Sequence, residues 1–128
     1  MRNIIFRGKR INRNGEWGYG DLRRFGGNTW VFPHDKDAAY DADMVDPKTV
    51  GEFTGLTDKN DKQIYEGDIV ELSLGRYKVV YDRFGCVSLL KEGEKYPMPL
   101  SNYAFFIWHG QFEVIGNIYD NPELLKQE

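Results

Sequence analysis

Cysteine is nearly absent from this chain: Cys86 is the only one in 128 residues. A lone thiol excludes an intrachain disulfide and suits a reducing compartment. Histidine is almost as sparse, with only His34 and His109. One Cys and two distant His cannot supply a recognisable zinc set. No apolar run approaches the roughly 20 residues of a membrane helix. The opening Met-Arg-Asn-Ile-Ile-Phe-Arg lacks a signal-peptide core, so a cytoplasmic protein without a membrane partner is expected. Glycine-rich phosphate loops are missing as well. Gly26-Gly27 is a loop pair, and neither the P-loop nor the dinucleotide pattern occurs. No Ser/His/Asp signature accompanies either histidine. These absences assign no catalytic residue, no metal ligand and no cofactor, and the expectation is a protein that is not an enzyme. A weaker enzymatic reading would need His34 or His109 in a pocket beside a carboxylate.

What is present is β in character. Aromatics reach 15% and glycines number 14, while alanine is scarce. Aromatic residues fit pleated surfaces and glycines fit turns, so the balance leans towards strands. The length suits one domain over 1–128 with a real core. A division into an N-terminal hairpin region, 1–32, and a barrel, 48–128, is the alternative.

The strand grammar can be followed along the chain. Ile4 to Ile11 is strand-like, and Asn12-Arg13-Asn14-Gly15 is a hairpin turn, since Asn-Gly tolerates positive φ. Glu16 to Leu22 alternates, with Trp17 and Tyr19 on one face. Gly18 and Gly20 signal a bulge or the close approach of another backbone. Thr29 to Phe32 is a third strand, stopped by Pro33. Residues 33–47 are acidic and lack alternation, which predicts a long loop with room for one helical turn.

The run from Thr49 to Val70 is the most regular. Thr49 to Leu56 is a strand, Asp58-Lys59-Asn60-Asp61 a turn, Ile64-Tyr65 a short strand, Glu66-Gly67-Asp68 a turn, and Ile69 to Leu72 a strand. This is the pattern of a small β-barrel, with Val50, Phe53, Leu56, Ile64, Ile69 and Val70 as core. A hairpin follows from Tyr77 to Leu90 around Arg83-Phe84-Gly85. Cys86, between apolar neighbours, reads as a buried structural thiol. Two prolines keep Tyr96 to Leu100 extended. Tyr103 to Trp108 leans towards strand, as does Gln111 to Tyr119. Asn121 as N-cap, Pro122 in the first turn and Glu123 after it predict a short closing helix.

Charge is segregated beneath a net value of −3. Residues 1–30 hold seven basic against two acidic side chains, net +5, and residues 31–68 hold four against ten, net −6. The plain reading is that the two segments face each other, within a chain or across a subunit contact. Arg7, Lys9, Arg10, Trp17, Tyr19, Arg23 and Arg24 nevertheless mix cations with aromatics, as a nucleic-acid or partner surface would. The alternative for these seven is aromatics in the core and solvated arginines. Asp35, Asp37, Asp41, Asp43 and Asp46 cluster, but they lack the glycine and terminal Glu of a calcium loop, so they read as a solvated acidic loop.

Three motifs together carry a resemblance. They are Phe6-Arg7-Gly8-Lys9-Arg10 with Gly15-Glu16-Trp17 and Tyr19-Gly20-Asp21-Leu22, then Thr49 to Val70, then Glu113 to Leu125. In this order they resemble the YopX family of phage and prophage proteins. The resemblance implies an SH3-type barrel or roll with an N-terminal β-hairpin extension and a short C-terminal helix. It also implies a homo-oligomer, and it carries no reaction. The family's turn usually reads Asp-Lys-Asn-Gly. Here its fourth position is Asp61, which tolerates positive φ less well, so a strained turn is expected. The leading expectation is a self-associating, non-enzymatic module with a host or phage protein partner in the bacterial cytoplasm. The alternative is a nucleic-acid-binding accessory protein that uses the basic hairpin.

Overall fold

The structure, a computed structural model, describes residues 4–11, 13, 15–34, 42–103 and 111–126. Every regular strand pairing within it is antiparallel. The chain resolves into two compact units, Met1–Phe53 and Thr54–Glu128.

In the first unit, β1 (Phe6–Lys9) pairs with β2 (Trp17–Phe25), β2 with β3 (Asn28–Phe32), and β3 with β4 (Asp43–Val45). The start of β5 (Gly51–Thr57) pairs with β1 on its other side. The acidic segment therefore contains a strand, β4, where the sequence suggests only loop. β4 also returns to the end of β1. The Ile11 N–H donates to the Met44 carbonyl at 3.0 Å and the Asp46 N–H to that of Lys9 at 2.9 Å. Asp46 then caps a 3-10 turn over Pro47–Thr49, its carboxylate accepting from the Lys48 N–H.

This curl explains two glycines. Val31 and Val45 are fully buried on its inner face. A Cβ at Gly8 would lie 2.9 Å from Val45 Cβ, and one at Gly18 2.9 Å from Val31 Cγ2. Both are closer than packed carbons tolerate. The backbone approach that the sequence suggests for Gly18 and Gly20 holds at Gly20, where a Cβ would run into the Phe32 carbonyl, whereas Gly18 meets side chains.

In the second unit, the rest of β5 lies beside β6 (Gln63–Tyr65). The Thr54 hydroxyl donates to the Ile64 carbonyl at 2.8 Å. A separate sheet runs in the order β10 (Met98–Pro99), β9 (Val87–Leu90), β8 (Gly75–Tyr81), β7 (Asp68–Leu72), β11 (Glu113–Asn117). Its core gathers Ile64, Val70, Leu72, Tyr77, Val79, Leu89, Phe112 and Val114. A bulge between Val114 and Gly116 bends β11. Burial pushes the Tyr103 hydroxyl's pKa up, and the Tyr77 ring lies 5.5 Å away.

Three further expectations are corrected. Leu56 is 39% exposed: Gly55, at φ 89°, breaks the alternation, and Thr54 takes the buried place. The closing helix is a single 3-10 turn, Pro122–Leu125, and Asn121 does not cap it. Its side-chain oxygen accepts from the Asn117 N–H instead. Of the predicted strand 103–108, Tyr103 ends a 3-10 turn and residues 104–108 lie outside the described residues. Among the described residues, no helix is long and apolar enough to cross a membrane.

Candidate functional site

Pairing register sorts the seven candidate residues. Arg7 opposes Tyr19 and Lys9 opposes Trp17, so these four share one face of the first unit's sheet. Arg23 lies on the same side of β2 by alternation, two residues from Asp21 and four from Tyr19. Arg10 and Arg24 have the opposite parity and belong to the other face. Arg10 is held there by Asp43 at 3.0 Å and Glu16 at 3.0 Å. Gly18 leaves the room for that pair, since a Cβ would stand 3.4 Å from both the Arg10 Nε and the Asp43 carboxylate. One basic residue of the N-terminal segment thus does face an acidic residue of the next, as the charge segregation suggests.

Burial goes against the alternative of core aromatics and solvated arginines at Arg7 and Tyr19, while Arg23 and Arg24 are exposed as it expects. Arg7 is 6% exposed, whereas Tyr19 is 45% exposed. The Arg7 guanidinium lies 4.5 Å from the Trp17 ring centre and the Lys9 ammonium 5.7 Å from it. Both distances suit cation–π attraction.

The same face continues through residues that the motif reading passed over. Arg23 opposes Trp30 and Asp21 opposes Phe32. The Arg23 guanidinium lies 4.8 Å from the Phe32 ring. Phe25, 59% exposed, stacks on Trp30 with ring centres 5.4 Å apart and planes 15° apart. Cations and rings therefore interleave across β1, β2 and β3. The signal for Phe25, Trp30 and Phe32 is the period of two along Trp17 to Phe25 and Asn28 to Phe32. Asp21 is the carboxylate of β2 on this face, and the His34 ring bonds it at 2.6 Å. Both side chains stand half-exposed at the surface. His109, Asp35, Asp37 and Asp41 lie outside the described residues.

The second unit holds two hairpin tips of one design. Asp58 accepts at one oxygen from the Asn60 and Lys62 N–H groups, at 2.8 and 2.9 Å. Asp82 accepts likewise from Phe84 and Cys86, at 2.9 and 3.0 Å. In each, the first residue's N–H also bonds the fifth residue's carbonyl, and the fourth residue's N–H bonds the first's carbonyl. The fourth residue sits at positive φ: Asp61 at 62° and Gly85 at 79°. Asp61 is the one non-glycine among the described residues in that region.

The tips differ in what they meet. The 58–62 tip is docked on β11: the second Asp58 oxygen accepts from the Val114 N–H at 2.9 Å, and Asn60 and Lys59 reach Glu113. Burial works against the Asp58 charge, but the three N–H donors and Lys62 outweigh it and hold the carboxyl below the usual range. At the other tip the Cys86 N–H leads in lowering Asp82. That tip presents Phe84, 83% exposed, beside Arg83. Cys86 is exposed as well, which corrects its reading as a buried thiol. Its neighbours in sequence are apolar, but the fifth place of an aspartate-closed tip faces out.

The chain is thus a two-sheet β protein with an interleaved cation–aromatic face and a solvent-facing aromatic tip. The comparison with known families makes this specific. A family model described as YopX protein matches residues 12–126, and the chain belongs to that family of phage and prophage proteins. Among curated proteins, none matches the chain.

Proposed function

We propose that this protein is a self-associating interaction module that works by binding rather than catalysis, in the cytoplasm of a phage-carrying bacterium. The observation that carries this reading is the 82–86 tip. A large apolar side chain, 83% exposed, is held on a rigid turn. The tip's twin at 58–62 spends the equivalent position on its own sheet, through Asn60. Nothing about holding the turn requires phenylalanine, and a pre-ordered aromatic anchor loses little entropy on docking. The non-enzymatic reading rests on the sequence, which lacks a nucleophile–base pattern. The antiparallel second unit is, on this reading, an SH3-type roll, with the first unit as its N-terminal extension.

Size measurement in solution tests the proposal. At micromolar concentration the protein is expected to run well above its 14.9 kDa monomer mass. Phe84→Ser is expected to shift it towards monomer without a change in its circular dichroism. A strict monomer, or an assembly indifferent to Phe84→Ser, refutes the tip as the contact.

A further inference from the structure

We infer that the 82–86 tip of one copy of this protein docks in a groove of a second copy, at the end of β7 and beside the start of β11. The inference rests on the self-association proposed above and names the surface that receives the tip.

The receiving groove lies wholly in the second unit. It is open, of about 490 Å³, and Lys59, Glu71, Ser73, Gln111 and Glu113 are among its lining residues. That volume falls within the about 300–1,000 Å³ of clefts that hold a small ligand, so an aromatic side chain has room. Glu71 and Glu113 oppose each other in register, and two acidic side chains rise from one face. Like charges placed so are unfavourable, and cations ease them: Lys59 reaches Glu113 at 3.6 Å and Arg76 bonds Glu71 at 2.9 Å. The relief is uneven. Glu113 gives one oxygen to Lys59 and the other to Asn60. Among the described residues only one Glu71 oxygen accepts a hydrogen bond, and that side chain is 44% exposed. Glu71 therefore has room for a second cation.

The molecule already shows how a tip of this design meets this sheet. In the 58–62 tip the second place is a cation, Lys59, and it pairs with Glu113. In the 82–86 tip the second place is Arg83, on the same set of backbone bonds. Arg83 of a second copy can take Glu71 as Lys59 takes Glu113, with the advantage of a guanidinium fork. Phe84, in the third place, then lies against the methylene stems of Lys59 and Gln111.

Position makes the contact intermolecular. Glu71 pairs with Arg76 near one end of β8, and the tip begins after Tyr81 at the other. Five residues of strand hold them about 17 Å apart, so a tip cannot enter the groove of its own copy. A tip-to-tip contact would set two Arg83 guanidiniums against each other. Tip and groove are unlike surfaces, so a copy with only a working tip can pair with a copy with only a working groove.

The test is complementation, read by sedimentation velocity of the full chain with circular dichroism as the folding control. Wild type is expected to assemble. Phe84→Ser spoils the tip and leaves the groove. Ser73→Trp, at an exposed position, fills the groove and leaves the tip. Each variant alone is expected to run as a monomer, and an equimolar mixture as a 1:1 dimer of twice the 14.9 kDa monomer mass. A second pair rests on charge: Arg83→Glu should weaken assembly about tenfold, and mixing it with Glu71→Lys should restore assembly. If Phe84→Ser is monomeric and Ser73→Trp assembles like wild type, the tip remains a contact and the groove is overturned as its receiver. Two monomeric variants that fail to pair on mixing overturn it as well. A monomeric wild type overturns this inference together with the self-association on which it rests.

Discussion

Asp58→Asn changes one atom at a buried side chain of the second unit that accepts three backbone hydrogen bonds. The aspartate accepts three backbone N–H bonds while 7% exposed, at 2.8, 2.9 and 2.9 Å. An asparagine can keep its carbonyl oxygen on Asn60 and Lys62. Its amide nitrogen then points at the Val114 N–H, donor against donor. One charge-assisted bond is lost, worth about 1.5–3 kcal/mol, and a buried N–H is left unpaired. The two surviving bonds become neutral ones and weaken further. The sum is a loss of about 2–4 kcal/mol. Asp82→Asn is the control within the same molecule. That carboxylate closes the same kind of tip, but its second oxygen accepts from the Ser88 hydroxyl at 3.3 Å. A hydroxyl can rotate to accept instead of donate, so no donor conflict arises. Denaturant unfolding of both variants measures the difference, and hydrogen exchange at the Val114 amide reads it locally. Asp58→Asn should be much the more damaging and should expose Val114 to exchange. Equal losses from the two variants, or a Val114 amide that stays protected, would refute this reasoning.

Two further outcomes follow from the same tips. Asp61→Gly should stabilise the protein by about 0.5–1 kcal/mol, because relief of the left-handed strain exceeds the chain entropy that glycine adds. Asp61→Val should destabilise it, and thermal melts of the two variants against wild type decide the sign. The acid limb of stability is the second. Asp58 and Asp82 both have lowered folded pKa values. Their contribution is full above the unfolded value of about 3.9 and is lost as pH falls through the lower folded values. Stability measured from pH 6 downward should therefore drop in that range, and the drop should be shallower in Asp58→Asn.

Much of the local grammar is legible in the residues alone. The β1–β2 and β8–β9 hairpins, the 58–61 turn and the backbone approach at Gly20 follow from turn chemistry and alternation. β4 does not, because three residues of an acidic segment gain strand character only from partners far away, Thr29 to Val31. The candidate face is half legible. A period of two already separates Arg23 from Arg24, yet it cannot say that Arg7 is buried and Tyr19 45% exposed. That outcome depends on which neighbouring strands lie alongside. Cys86 and Asn121 misled for one reason: each has a side-chain type with a usual role, and the surrounding backbone assigned another. Family membership was written in three motifs, and in the central and C-terminal ones Asp58, Gly67, Asn117 and Asn121 are framework, serving hydrogen bonds of turns and bulges.

The paired tips have a consequence for how this chain can change. At 82–86 the shape is written by the first, fourth and fifth places, through the aspartate, the positive-φ glycine and one carbonyl. The second and third places, Arg83 and Phe84, take no side-chain part in that closure. On the proposed binding reading they form a two-letter address on a fixed envelope. Substitution there would then change what the protein meets and leave the envelope standing.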